Sequence, residues 1–536
     1  MLKGIMGRVI DLLIKNGRLY DGGGNEPFCA DIAITGDRIE SVLPANDSAS
    51  LIAEKTIDAK GLSVAPGFID THSHSEFTLL ADNRAEGKVF QGITTEINGN
   101  CGLSAAPLYG EAFRHRETDL QELGIVSRWS DFNEYFSLLE QKGLPFNFAT
   151  LAGHGSIRAS VMGYGDRPPE KTEAGRMCMF LNDALSNGAL GISTGLIYPP
   201  GTYADTEELV GLARSAKDKI YTSHMRSEGD RLIEAIKEVV NIGAESGIAV
   251  HISHIKTSGK KNWGKIDDAI ALIEDARAKG IKITCDRYPY TAASTDLDAV
   301  LPSWTYAGGA EEEIKRLKDK AVCMKIKREV IEQHPDDEYW KNITVSSVNL
   351  QSNKWMEGRT VAYISNEMGV EPVDLLIDLL IEERLRPGAI FHSMSEDNLR
   401  KLLALPYVMI GSDSSARSTD GLTRNGKPHP RGFGTFPRFI SRYVRDYGLM
   451  SMGSAVHKVT MLPAETFRLR ERGRIRDGFF ADIVIFDENR IIDRATFDEP
   501  FLRPEGVEYL MVNGIPVVWQ GSFTGRTPGR VLRHGS

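Results

Sequence analysis

The sequence predicts an α/β protein: a (β/α)8 TIM-like barrel carrying a small β sandwich built from both chain termini, with an insertion between barrel strands seven and eight. Three observations carry that prediction. Across residues 66–465, eight short β-branched runs alternate with amphipathic helical stretches, as in a closed parallel barrel with crossover helices. The two flanks, 1–65 and 466–536, read instead as strands joined by tight turns, and are expected to fold together as one β domain. The gap between the last two runs is long enough for a body of its own, at about 302–390.

In order along the chain, "DLLIKNGRLYDGGG" and "DIAITGDRIESVL" place apolar residues on either side of N-G or G-D turn signals. The expected barrel strands are 68–71, 94–97, 148–152, 190–193, 220–223, 249–253, 281–285 and 408–411. Between them lie helical patterns such as "GDRLIEAIKEVVNIGAESG" and "IDDAIALIEDARAKG". The charged stretch "EEEIKRLKDKAVCMKIKREVIEQ" falls in the insertion and is placed to cover the barrel mouth. "GFFADIVIFDENRII" and "EYLMVNGIPVVWQGSF" return to strand–turn character.

Hydrophobic content of 41% and charged content of 26% are those of a soluble globular protein. A net charge of −9, with basic residues scattered, argues against nucleic acid or an anionic membrane as the main partner. The five cysteines (Cys29, Cys101, Cys178, Cys285, Cys323) are odd in number and far apart, which is no disulfide framework and fits a reducing, cytoplasmic setting. The first residues lack a signal peptide's apolar core, and no window approaches a membrane span.

Catalytic residues of such barrels sit where strands pass into loops at the C-terminal face. Strand one ends in "GFIDTHSHSEF", and residues two apart in extended chain point to one side, so His72 and His74 can reach a common point. Strand two runs into Cys101, strand five ends at His224, strand six at His254 and strand eight at Asp413. A lone His-x-His is common in surface loops. Four histidines, a cysteine and an aspartate at the strand ends of one barrel are the ligand types of zinc, whose catalytic sites keep one position for water. His251, three residues before His254, is expected on the opposite face with a structural role. His115, His334 and His534 lie in charged, helical or terminal contexts, and His154 stays ambiguous.

With these residues in place, the chain resembles the amidohydrolase superfamily and, within it, the N-acyl-D-amino-acid deacylases (D-aminoacylases). "PGFIDTHSH" matches the superfamily's strand-one signature. "GITTEINGNCGLSAAPL", "GALGISTGLIYPPG", "TSHMRSEG", "ISHIKTSGKKNWG", "DRYPYTAAST", "IGSD", "HPRGFGTFPR" and "MLPAETFRLRERGRIRDGFFADIVIFD" resemble the family's blocks in order, over about residues 8–525. Strand four, "GALGISTG", lacks the carboxylated lysine that bridges two metals in many superfamily members. The resemblance implies that Cys101 replaces it as a thiolate ligand of one tightly held zinc ion, with His224 and His254. His72, His74 and Asp413 would then form a second, weaker position, and the number of metals stays open.

The resemblance also implies Asp413 as general base and Lys256, Tyr288 and Arg431 as the clamp for the substrate's α-carboxylate. Tyr198 is a candidate pocket wall, and Asp70 a candidate for supporting the first ligands or capping the strand. The segment "TAASTDLDAVLPSW" has no Lys or Arg but offers Asp296, Asp298, Leu301 and Trp304, so neutral, hydrophobic side chains are expected over acidic ones. Two alternatives remain. A cyclic-amide hydrolase of the dihydropyrimidinase or hydantoinase type is disfavoured by the missing lysine and by Cys101. A non-catalytic barrel scaffold would be expected to lose ligand types that this chain keeps.

Overall fold

In a computed structural model describing residues 9–45 and 47–534, the eight expected runs form a parallel barrel. They are Phe68–Asp70, Ile93–Asn98, Asn147–Thr150 continued by Ala152–Gly153, Gly191–Gly195, Ile220–His224, Ala249–Ile252, Ile283–Arg287 and Val408–Ile410, hereafter strands one to eight. Each pairs in parallel with the next, from Ile69 opposite Thr95 round to Arg287 opposite Ile410. Strand three breaks at Leu151, whose N–H donates to the Asn98 carbonyl at 2.9 Å, and resumes against strand four. The ring closes between strands eight and one. There the Asp413 N–H donates to the His72 carbonyl at 2.7 Å, and Thr71 Oγ1 to the Ile410 carbonyl at 3.1 Å. The strands are buried on both faces, which is why they read as β-branched runs rather than as alternating patterns.

The crossover helices show why their sequences fold as they do. Leu232–Ser246 buries Leu232, Ala235, Ile236, Val239 and Ile242, a three–four spacing that keeps one face on the barrel. Gly247 then ends the helix with φ at +72°, a left-handed cap that other side chains resist. Thr206–Ser215 starts at Asp205, whose carboxylate accepts the Glu208 N–H at 2.8 Å and so satisfies an orphan donor of the first turn.

Ser63–Pro66 pairs antiparallel with Ile483–Phe486, joining the two flanks. The expected sandwich is thus one continuous hydrogen-bonded sheet of nine strands among the described residues. It wraps a core that includes Leu12, Ile14, Ile32, Ile34, Ile483, Ile485 and Met511. The C-terminal segment continues back to the barrel: the Phe148 N–H donates to the Arg530 carbonyl at 2.9 Å, and the Leu532 N–H to the Phe148 carbonyl at 2.7 Å. Residues 1–8, which belong to the expected β domain and carry the signal-peptide reading, lie outside the described residues.

The insertion is wider than the expected 302–390. Its sheet starts at Ala293–Asp296, which pairs antiparallel with Gly388–Phe391, itself paired with Ile343–Ser347. Leu297, Val300, Leu317, Ile326, Val330, Ile364 and Leu380 give it a separate core. Among the described residues, no helix is long and apolar enough to cross a membrane.

Candidate metal centre

The strand ends deliver their polar side chains to one buried point. His72 follows strand one, Cys101 lies three residues past strand two, His224 closes strand five, His254 lies two past strand six, and Asp413 three past strand eight. Three of these bend the chain into the left-handed region, Cys101 at φ +54°, His254 at +35° and Asp413 at +50°. Such backbone costs about 1–3 kcal/mol per residue and persists where the surroundings hold it for function.

Cys101 Sγ lies 3.3 Å from His72 Nε2 and 3.4 Å from His254 Nε2. Asp413 Oδ1 lies 3.4 Å from His74 Nε2 and 3.6 Å from His72 Nε2. The His224 ring stands edge-on to His254, centroids 4.3 Å apart, and Glu228 reaches His254 Nδ1 at 2.8 Å and His224 Nε2 at 3.9 Å. Three overlapping groups result: His72, Cys101 and His254; His72, His74 and Asp413; His224, Glu228 and His254. The sulfur therefore sits against His72 as well as His254, and His224 also favours its thiolate form. His72 is common to the first two groups.

These residues suit a metal ion. A tetrahedral zinc with ordinary Zn–S and Zn–N bonds sets its sulfur and nitrogen ligands about 3.5 Å apart, close to the two separations at Cys101. Both ring nitrogens of His224 are buried without a hydrogen-bond partner, as ligand atoms would be before an ion is added. Burial alone would raise the Cys101 thiol, but the neighbouring His72 and His254 hold it well below the usual range and favour thiolate. Burial would likewise raise Asp413, yet the Arg431 guanidinium, with Nη1 at 2.9 Å from Oδ2, and His74 keep it ionised.

A second layer of residues orients the first, and sequence reasoning missed most of it. Asp286 on strand seven places Oδ2 3.2 Å from His72 Nδ1 and 2.8 Å from His251 Nε2, and its Oδ1 accepts the His254 N–H at 2.6 Å. A carboxylate on Nδ1 leaves Nε2 of His72 free to face the cluster. His251 therefore points inward, not to the expected opposite face. The strand ends at Ile252 and the chain turns at His254, so simple alternation no longer applies. Asp70 accepts the Ser412 N–H at 2.7 Å and the Lys88 ammonium at 2.8 Å, and Lys88 also meets Glu96 at 2.9 Å, so these groups tie strands one, two and eight together. A charged residue inside an apolar strand, as at Asp286 in "ITCDR", was the available signal. Lys88 and Glu228 had none.

The remaining expected residues gather beside the cluster. Lys256 Nζ lies 2.7 Å from His254 Nδ1 and is ion-paired with Glu228. Tyr288 is 1% exposed, its hydroxyl has no hydrogen-bond partner, and Arg431 Cζ lies 4.6 Å from its ring centroid. Tyr198 stands edge-on to His224 at 5.0 Å and contacts Thr295 Oγ1 of the insertion at 3.0 Å. His154 pairs with Glu208 at 2.7 Å, His115 stacks near Tyr164 and His334 on Tyr339, so none of the three joins a cluster.

Known proteins resemble this chain along nearly its whole length. The profile of the amidohydrolase family matches residues 55–518. A D-aminoacylase of Alcaligenes xylosoxydans xylosoxydans is 36% identical, over 97% of this chain and 97% of its own. An N-acyl-D-glutamate deacylase of the same organism is also 36% identical, over 98% of this chain and 96% of its own. Among solved structures, N-acyl-D-glutamate deacylase of Bordetella bronchiseptica, complexed with zinc and a phosphonate mimic of the reaction's tetrahedral intermediate, superposes with a TM-score of 0.83 at 33% identity. That match covers 98% of this chain and all of the other, 100%.

Proposed function

The chain belongs to the amidohydrolase family, among the D-aminoacylases, and from that premise we propose that it hydrolyses N-acyl-D-amino acids to a carboxylate and a free D-amino acid. The reading rests on one observation: a buried cluster of metal-ligand types stands beside donors suited to a carboxylate, the unpartnered Tyr288 hydroxyl and the Arg431 guanidinium. Cys101, His224 and His254 would hold a zinc ion and leave a position for water, with His72, His74 and Asp413 at a second, weaker position. When bound, zinc supplies a water that ionises near neutral pH and polarises the scissile carbonyl.

The chain's own residues do the rest. Asp413 Oδ1, facing His72 and His74, takes a proton from the attacking water and returns it to the leaving amine, while Oδ2 stays on Arg431. Tyr288, Arg431 and Lys256 orient the α-carboxylate by charge-assisted hydrogen bonds. Tyr198 forms the wall nearest the insertion. We read residues 66–465 as the catalytic barrel, the two flanks as its β domain, and the protein as cytoplasmic on the strength of its scattered cysteines.

Side chains accepted are neutral and hydrophobic. Burial and the neighbouring Asp296 push Asp298 up to about 8, so these surroundings disfavour negative charge and would disfavour a second substrate carboxylate in the same way. Nearby cations are already engaged: Arg116 meets Asp119 at 3.1 Å and Arg386 meets it at 2.9 Å. Zinc-loaded protein is therefore expected to cleave N-acetyl-D-methionine and not its L form, faster than N-acetyl-D-glutamate, and C101A to lose both zinc and activity. Zinc bound tightly with neither methionine form cleaved would retire the deacylase reading and leave the metal centre standing.

A further inference from the structure

The residue before Tyr288 in "DRYPY" has no place in the chemistry above. On strand seven, Asp286 faces the barrel interior, so the next side chain, Arg287, points the other way, toward the insertion. It is 1% exposed. Its hydrogen bonds among the described residues run from Nη2 alone, to the Tyr290 carbonyl at 2.7 Å and Met394 Sδ at 2.9 Å, while Nε and Nη1 have no partner. A buried guanidinium without a carboxylate is costly and calls for a compensating role.

The structure supplies one. Arg287 Cζ lies 4.0 Å from the centroid of the Tyr288 ring, the same ring that Arg431 approaches at 4.6 Å. Two guanidiniums thus share one phenol, held in a buried cluster with Tyr290 and Met394. A cation on an aromatic face withdraws electron density from it, and a phenol so depleted donates a stronger hydrogen bond. The Tyr288 hydroxyl is buried and unpartnered.

We infer that Arg287 is a positioning residue for the substrate's α-carboxylate, acting through the ring and hydroxyl of Tyr288. The inference rests on the reading that Tyr288 binds that carboxylate. It accounts for a fully buried cation that has no carboxylate partner among the described residues, and it separates Arg287 from Arg431, which also engages Asp413. The acidity of the phenol agrees: burial would raise it, yet Lys256, Arg287 and Arg431 bring it below its usual value.

The test compares kcat/KM for N-acetyl-D-methionine with that for N-acetyl-D-methioninamide, which lacks the carboxylate, in zinc-loaded wild type, R287M, R287K, Y288F and the R287M/Y288F double variant. Expected is a loss of about tenfold on the acid in R287M, carried mainly by KM, with the amide changed less than about twofold. R287K should recover most of the loss, and the double variant should be no worse than Y288F, because both act through one hydroxyl. An R287M loss equal on acid and amide, or fully additive with Y288F, overturns the inference while the reading of Tyr288 stands. A Y288F loss that ignores the carboxylate removes that reading and the inference with it. If R287M does not accumulate as folded protein, R287Q carries the same comparison.

Discussion

At Asp286, one carboxylate engages the His72 ring, the His251 ring and the backbone of His254. Burial opposes its charge, but His72 and His251 hold its pKa well below the ordinary carboxylate range, so it stays anionic and fixes which His72 nitrogen faces Cys101. D286N keeps the shape but removes the charge, and is expected to weaken zinc binding by about 10–100-fold. Chelator competition would measure this, with circular dichroism to confirm the fold. Unchanged affinity would mean that Cys101 and His254 suffice to hold the metal without an oriented His72. The residues of the cluster were legible in the sequence because each is a residue type with few other reasons to end a barrel strand. Asp286 was not, since an aspartate in a strand announces no partner until strands one and six lie beside it.

At the scale of the element, the insertion reads in the sequence as a charged helical run, while its sheet went unseen. Ala293–Asp296 is short and pairs with Gly388–Phe391, a partner too far along the chain for local pattern to reveal. The helix Ala310–Lys318 carries Glu313, 4% exposed, and burial together with Asp298 pushes its carboxyl up to about 9. Between pH about 4.5 and 9 the unfolded chain releases this proton and the folded chain keeps it, so its contribution to stability falls as pH rises through that window. E313Q mimics the protonated form. Its melting temperature should match wild type near pH 5 and exceed it near pH 8, and a constant offset across that range would refute the assignment of this proton to Glu313.

At the scale of the whole molecule, the β sheet and the barrel are joined by a buried polar knot. Arg472 is ion-paired with Asp482, whose Oδ1 accepts the Asn513 N–H at 2.8 Å and whose Oδ2 accepts from Asn147 at 3.1 Å. Asn147 opens barrel strand three, and Asn513 follows a strand of the terminal sheet. D482A strands a buried guanidinium, which costs about 3–5 kcal/mol. Denaturant titration should show that loss, with kcat per folded molecule retained because the knot is remote from Asp413. A fall in kcat without loss of stability would argue instead that the sheet communicates with the metal centre.

By itself the sequence determined the barrel, its strand order and the residues that end its strands. Short β-branched runs and three–four helical spacing are local signals, and a parallel barrel with right-handed crossovers leaves little freedom in how such units assemble. The tertiary structure alone decided the grouping: that Cys101 touches His72, that His251 turns inward, that Lys88 and Asp286 brace the ligands, and that Arg287 lies on Tyr288. Apart from the neighbours Arg287 and Tyr288, those contacts join residues far apart in the chain, and the geometry of the cluster depends on where the chain bends into left-handed backbone at Cys101, His254 and Asp413. Periodicity carries no information about such bends, because their strain is offset by neighbours that only the closed barrel supplies.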